Sequence, residues 1–391
     1  MDDIAEKVTR TDPSSTAPVM MITADNGFIK QSDRYAFNNS GQSLTKYIVL
    51  KRKELAYNHG ASKLRPYGSC FALPYKEARV PFVYHCFSVD NDNPDFISIQ
   101  LNGTAVEAEL RKIVSSGARM DGLLNISYEA YSKVPISLPN PDEQGVVANY
   151  FNNLDDLIAL QRRKLVKLQN VKKAMLQKMF PARGSTTPQI RFAGLTEPWQ
   201  ERKLGSLCSI FTDGDWIESK DQSDYGVRLI QTGNVGVAEF IDKPNNSKWI
   251  SEETFERLHC KEVLPGDILI SRLPEPAGRA CIIPNLGTKM ITAVDCTIVR
   301  TTTDYCNEYL IQYLSSQEYF NEVSTVLAGG TRQRISRSSL ANFTVPVPPG
   351  HKEQQAIGNY FSTLDTRISL QQRKLEKLQN IKKACLAAMF V

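Results

Sequence analysis

The chain has 391 residues, 41% of them hydrophobic and 23% charged, with a formal net charge of +5. It is long enough for two or three domains with real cores, and its near-balanced charge limits any nucleic-acid surface to local patches. Residues 1–16 are polar and no apolar window of about 18 residues occurs, so neither export nor a membrane-spanning helix is expected, and the expected compartment is the cytoplasm.

Residues 1–141 read as short strands and turns. A partial helix is expected at 3–8 and strands at 19–23, 47–50, 54–57, 70–73 and 84–89. A helical stretch follows at about 104–115, and 125–138 leads through Pro135, Pro139 and Pro141 into a long helix at 142–180. Residues 181–198, rich in Pro, Gly, Ser and Thr, read as a linker. From Trp199 the pattern repeats: strands at 227–231, 267–272, 280–283 and 293–300, a helix at 305–326, a proline-rich approach, and a second long helix at 351–391. The layout of the halves matches. Gly68 after the strand 54–58 mirrors Gly278 after the strand 267–271, and Asn125-Ile126-Ser127 mirrors Arg334-Ile335-Ser336.

The long helices are copies of each other. Residues 144–180 align without a gap onto 354–390 at an offset of 210, with 22 of 37 positions identical. Apolar residues recur at three- and four-residue steps: Val147, Phe151, Leu154, Ile158, Leu165, Leu168, Met175 and Met179, then Ile357, Phe361, Leu364, Ile368, Leu375, Leu378, Cys385 and Met389. A seam this long is the mark of a coiled coil. Its polar positions coincide in the copies, Gln161 with Gln371 and Lys172 with Lys382. Parallel packing in register would face Lys172 with Lys382. Antiparallel packing about a centre between Leu165 and Leu168 instead faces Gln161 with Lys382, Lys172 with Gln371, Leu165 with Leu378 and Leu154 with Met389, and is the arrangement expected. The plainer alternative is two core helices, one per domain, that never touch.

Catalytic motifs do not stand out. The sequence has no phosphate loop, no GxGxxG after a strand, no S-adenosylmethionine glycine loop and no PD followed by ExK. Asn93-Pro94-Asp95 is the nearest approach to an amino-methyltransferase tetrapeptide and lacks its second proline and aromatic. His59, His85, His259 and His351 show no i,i+4 ligand pairing. The eight cysteines, no two closer than ten residues, exclude CxxC spacing and read as small buried hydrophobes.

The basic residues of the diverged regions sit in loops among glycines and small polar groups. In the first half these are Asn58, His59, Ser62, Lys63, Arg65 and Tyr67, with Arg119 further on; in the second, Ser271, Arg272, Arg279 and the run Gly330, Thr331, Arg332, Gln333, Arg334 with Ser336. Arg reads guanine bidentately, Gln and Asn read adenine, and Gly lets the backbone approach a phosphate, so all are candidate DNA contacts. Solvated turns are the plainer reading of any one of them.

Together these residues resemble the specificity subunits of bacterial type I restriction–modification systems. The resemblance rests on the duplicated Glu-Gln element (Glu143-Gln144, Glu353-Gln354), the duplicated Phe-x-x-Leu-Asp leading to Gln-x-Arg-Lys-Leu-x-x-Leu-Gln-Asn-x-Lys-Lys, the run 266–272, and Thr331-Arg332-Gln333 before Ile335-Ser336. Gly117-Ala118-Arg119-Met120 is a weak version of the last motif, and a shortened lead-in is expected for the first half relative to the second. The resemblance implies an α+β fold with an internal duplication and pseudo-two-fold symmetry: a target-recognition domain at 1–141, a long helix at 142–180, a linker at 181–198, a second target-recognition domain at 199–350 and a second long helix at 351–391, the helices forming an antiparallel coiled coil.

The function it implies is sequence-specific binding of a bipartite, asymmetric site on double-stranded DNA, by a subunit without catalysis or metal of its own. Two methyltransferase subunits would bring S-adenosylmethionine and adenine N6 methylation; two motor-nuclease subunits would bring ATP, Mg2+ and cleavage. The paired helices would set the spacing of the half-sites. Arg332→Ala is expected to weaken specific DNA binding by about 1–3 kcal/mol. A non-catalytic protein-interaction scaffold and an autonomous methyltransferase are the rival readings.

Overall fold

A computed structural model describes residues 1–24, 27–35, 41–114, 124–327 and 333–390. The chain divides into two compact units, Met1–Arg162 with Lys374–Val391, and Arg163–Arg373.

The first unit contains β1 (Ala5–Lys7), β2 (Met20–Thr23), β3 (Gly27–Lys30), β4 (Ile48–Lys51), β5 (Leu55–Asn58), β6 (Ser69–Ala72), β7 (Glu77–Val80), β8 (His85–Val89), α1 (Pro94–Leu101), α2 (Thr104–Ile113), α3 (Tyr128–Ser132) and the start of α4 (Pro141–Met179). Its central sheet is antiparallel in the order β1-β8-β5-β6, flanked by the pairs β2-β3 and β4-β7. Leu55, Phe87, Ile97, Tyr131 and Phe151 form a core against which Cys385, Leu386 and Phe390 also pack. The helix expected at 3–8 is strand β1 instead, with Ala5, Glu6 and Lys7 opposite Val89, Ser88 and Phe87. So short a segment gains more from the open edge of β8 than from nucleating one helical turn. Helix α1 was not anticipated, although its start is written in Asn93-Pro94-Asp95: the Asn93 side chain accepts from the Asp95 and Phe96 amides, and Pro94 occupies the first turn. That tripeptide is a helix cap.

The second unit contains β9 (Gln200–Lys203), β10 (Cys208–Asp213), β11 (Gln222–Ser223), β12 (Val227–Ile230), β13 (Lys248–Ile250), α5 (Glu252–Arg257), β14 (Ile268–Ser271), β15 (Ala280–Ile282), β16 (Met290–Thr292), β17 (Cys296–Thr301), α6 (Asn307–Tyr313), α7 (Gln317–Thr325), α8 (Arg337–Asn342), β18 (Thr344–Val347) and the start of α9 (His351–Met389). Its central sheet runs β10-β17-β14-β15, the strand order of the first unit repeated. The flanking strands differ: β11-β13-β12-β16 form one sheet, with β12 and β16 parallel. The helix expected at 305–326 is two helices, because Ser316 is buried and its hydroxyl caps a fresh start at the Tyr319 amide. Most of the linker at 181–198 is exposed, but it is fastened near its end. Arg191 donates to both Glu353 oxygens at 2.7 and 2.8 Å, the Trp199 indole donates to the same carboxylate at 3.2 Å, and Phe192 meets Tyr360 edge-on.

Along both long helices the seam residues form the buried or half-buried stripe, with Phe151, Gln161, Met179, Ile357 and Phe361 the most enclosed. In the first unit the end of α9 lies beside the start of α4, with the Phe390 ring 6.0 Å from Phe151. In the second the end of α4 lies beside the start of α9, with Phe180 6.3 Å from Phe361. The packing is antiparallel in both, and two features depart from the expected layers. Lys382 pairs with Asp155 and Lys172 with Asp365, and Met389 is half exposed. A carboxylate one step off the seam satisfies an ammonium better than a facing amide does, so the lysines lean outward to it.

Candidate nucleic-acid interface

In each unit the hairpin at the sheet's far edge, β5–β6 or β14–β15, carries a loop closed by a glycine with φ +84°. A Cβ at Gly68 would lie 2.5 Å from the Asn58 carbonyl oxygen; one at Gly278 would lie 2.9 Å from Val323 Cγ2. Only glycine fits either corner.

The first loop is a folded structure. The Asn58 amide donates to the Ile22 carbonyl at 3.0 Å and accepts from the Gly60 amide at 3.0 Å. His59 is buried, with Nδ1 2.9 Å from the Leu124 carbonyl oxygen. The Ser62 hydroxyl accepts from the Arg65 amide, while the Arg65 guanidinium donates to the Asn102 carbonyl and faces Glu107 at 3.8 Å. Burial pushes that guanidinium below its ordinary pKa. The Tyr67 carbonyl accepts from the Tyr57 hydroxyl. His59, whose ring is buried, supports the loop from inside, and the partly exposed Arg65 guanidinium is spent in part on Asn102 and Glu107. Ser62 and Lys63 stay exposed.

The second loop is fastened more tightly. Arg279 donates to the carbonyl oxygens of Val235 at 2.7 Å, Pro274 at 2.8 Å, Leu273 and Thr232 at 2.9 Å, and Pro276 at 3.1 Å. The Nε hydrogen, both Nη1 hydrogens and one Nη2 hydrogen are spent on backbone carbonyls, which leaves a single Nη2–H for any other partner. Ser271 is fully buried; Arg272 is buried, donating to the Val294 carbonyl at 2.6 Å and lying 3.5 Å from Asp213. Ser336 caps α8, accepting from the Ser339 amide at 3.0 Å. Ser271, Arg272 and Arg279 are thus turned to structural roles, while Ser336 caps its helix and stays exposed. Gln333 is exposed, and Arg334 is half exposed with a terminal nitrogen 2.9 Å from Asp295. Arg119, Gly330, Thr331 and Arg332 lie outside the described residues.

The sequence reading weighed basic residues in loops and so passed over exposed aromatics. Trp216 and Tyr225 of the second unit are 71% and 81% exposed, and Phe82 of the first is 52% exposed. The available signal was an aromatic set among Gly, Asp and Lys at 214–225, where no apolar periodicity accounts for it.

Residues 196–380 match the family model described as the type I restriction modification DNA specificity domain. The matched span takes in the whole second central sheet, and the first unit repeats that sheet's strand order. Residues 196–380, just under half of the chain, are thus similar to a type I specificity domain. The chain is 21% identical over 278 residues to the MjaVIII specificity subunit of Methanocaldococcus jannaschii and 24% identical over 280 residues to the putative MjaX specificity subunit of the same organism. These alignments take in 69% and 70% of this chain but 64% and 61% of those proteins, so the chain spans under two thirds of either relative. The type I system S subunit from M. genitalium shares the fold, with a TM-score of 0.58, 13% identity, and coverage of 98% of this chain and 93% of that one.

Proposed function

We propose that this chain is the DNA-reading subunit of a type I restriction–modification assembly, each unit reading one half of a bipartite site. The observation that carries the reading is the repeated sheet frame: two central sheets share a strand order and a glycine-closed edge hairpin, while their flanking strands and exposed side chains differ. Such a frame holds different contact surfaces in equivalent places, which is what reading two unlike half-sites requires. The chain supplies no catalysis in this proposal. Two methyltransferase subunits bring S-adenosylmethionine, and two motor-nuclease subunits bring ATP and Mg2+. The assembly works in the cytoplasm; among the described residues no helix is long and apolar enough to cross a membrane.

Titrating the purified chain with random duplex DNA between 50 and 200 mM salt tests the reading. Log affinity is expected to fall linearly with log salt at about −0.9 per phosphate neutralised. Binding that is absent at low salt, or insensitive to salt, would favour the protein-interaction scaffold instead.

A further inference from the structure

Arg334 and Arg272 meet Asp295 and Asp213 at one corner of the second unit, where β14 ends and β17 begins. Arg272 is fixed, buried against the Val294 carbonyl and 3.5 Å from Asp213, whose Oδ1 also accepts from the Thr297 hydroxyl at 3.0 Å. Backbone bonds tie the corner together: the Arg272 amide donates to the Asp295 carbonyl at 2.8 Å, and the Ile335 amide donates to the Arg272 carbonyl at 3.1 Å. Arg334, one residue before Ile335, is the exposed cation of the set. Its side chain is 46% exposed, that of Asp295 is 30% exposed, and they stand 2.9 Å apart.

The four charges sum to zero, so the corner has no net attraction for a polyanion while the Arg334–Asp295 pair is closed. Arg334 is the exposed side of the pair, and its contact with the inward-facing Asp295 Oδ1 is an ion pair without hydrogen-bond geometry, so the arginine is held weakly and another anion can draw it off. A phosphate reaching Arg334 must therefore displace the Asp295 carboxylate or approach beside it, and either reduces the gain from that contact. We propose that Asp295 is a specificity-determining residue of this corner: it occupies Arg334 in place of a DNA phosphate, so that Arg334 engages DNA only where other contacts hold the duplex against it. The inference rests on the DNA-reading function and adds a device that suppresses non-specific binding.

The test compares wild type, Asp295→Asn, Arg334→Ala and the double variant on a random duplex at several salt concentrations, with thermal melts as a control for folding. Asparagine keeps the shape and removes the charge. Asp295→Asn is expected to bind random DNA roughly tenfold more tightly at low salt and to steepen the salt slope by about one phosphate. Both changes are expected to vanish in the Arg334→Ala background, which a general loosening of the corner would not produce. Unchanged affinity and slope in a folded Asp295→Asn protein would overturn the proposal, as would a gain that persists without Arg334. Should the asparagine variant fail to fold, Asp295→Ser in the same cycle is read in its place. Wild type that binds no DNA at all would instead refute the DNA-reading function itself.

Discussion

Gln144 and Gln354 hold equivalent places in the two copies, and each is sealed from solvent. Gln144 accepts from the Asn93 amide at 2.8 Å and donates to Asp92 at 2.7 Å and to the Pro139 carbonyl at 3.0 Å. Gln354 accepts from the Cys306 amide at 3.0 Å but reaches the Asp304 and Pro348 carbonyls only at 3.4 Å. One amide thereby joins the entry of a long helix to the entry of α1 or α6. Truncation leaves buried donors and acceptors unpaired, so Gln144→Ala is expected to cost about 2–3 kcal/mol and Gln354→Ala less. All three tryptophans, Trp199, Trp216 and Trp249, lie in the second unit, so comparing urea transitions by tryptophan fluorescence and far-UV circular dichroism assigns each loss to its unit. The Gln of the Glu-Gln element was visible in the sequence as a repeated residue; the two of its three partners that lie some 50 residues away were not.

A pH dependence belongs to the same scale. Burial holds the His85 imidazolium below its ordinary range, while its Nε2 lies 2.9 Å from the Ile126 carbonyl oxygen. The unfolded chain then binds the proton more readily than the folded one, so acid favours unfolding. Stability of the first unit is expected to fall as pH drops below about 6.5 and to be level above it as far as this group is concerned. Urea midpoints by circular dichroism at pH 5.5 and 7.5 check this, and His85→Gln is expected to flatten the difference.

Elements were legible where their signal was local. The 3.5-residue period of the long helices survives in the buried stripe because periodicity alone decides which face a coil hides. Strand β1 escaped for the opposite reason, since a distant partner, β8, decides it; the break between α6 and α7 rests on the local Ser316 cap, which the continuous apolar pattern around it masks. The lysines of the seam show the limit of layer-by-layer pairing, since a side chain of that length chooses a carboxylate off the seam. Lys172→Glu is expected to destabilise the second unit by about 1 kcal/mol, and Asp365→Lys in the same chain to restore most of it. A double-mutant cycle on the tryptophan-detected transition measures the coupling, and additive losses would show that the pair contributes nothing.

For the whole molecule, the duplication was readable from the 22 identities in the helices, whereas the kinship of the two globular parts needed the strand orders themselves. Candidate contacts fared unevenly because basic residues in a loop look alike in sequence whether they face water or, like Arg279, a ring of carbonyls. If the units read independently, exchanging residues 1–140 for the matching region of a relative changes one half of the methylated site and leaves the other intact. Sequencing of methylated adenines in a host carrying the chimera decides it, and a change in both halves would refute independent reading.

Each unit is completed by the far end of the other copy's helix: Cys385, Leu386 and Phe390 for the first, Val171, Met175 and Phe180 for the second. This has a genetic consequence. An unequal crossover between the two helix-coding repeats would delete 210 residues in frame and leave one unit followed by one long helix. Alone, such a half-length product would have a core lacking its last pieces and a helix end with nothing to fill. Two copies could supply each other, because the lost partner and the surviving helix have nearly the same sequence and pack antiparallel. The half-length chain is therefore expected to fold only as a dimer, with a melting temperature that rises with protein concentration, and to prefer a symmetric, inverted-repeat target in place of an asymmetric one. Sedimentation and a selection from random DNA would show both, and a stable folded monomer would show that the borrowed helix end is dispensable.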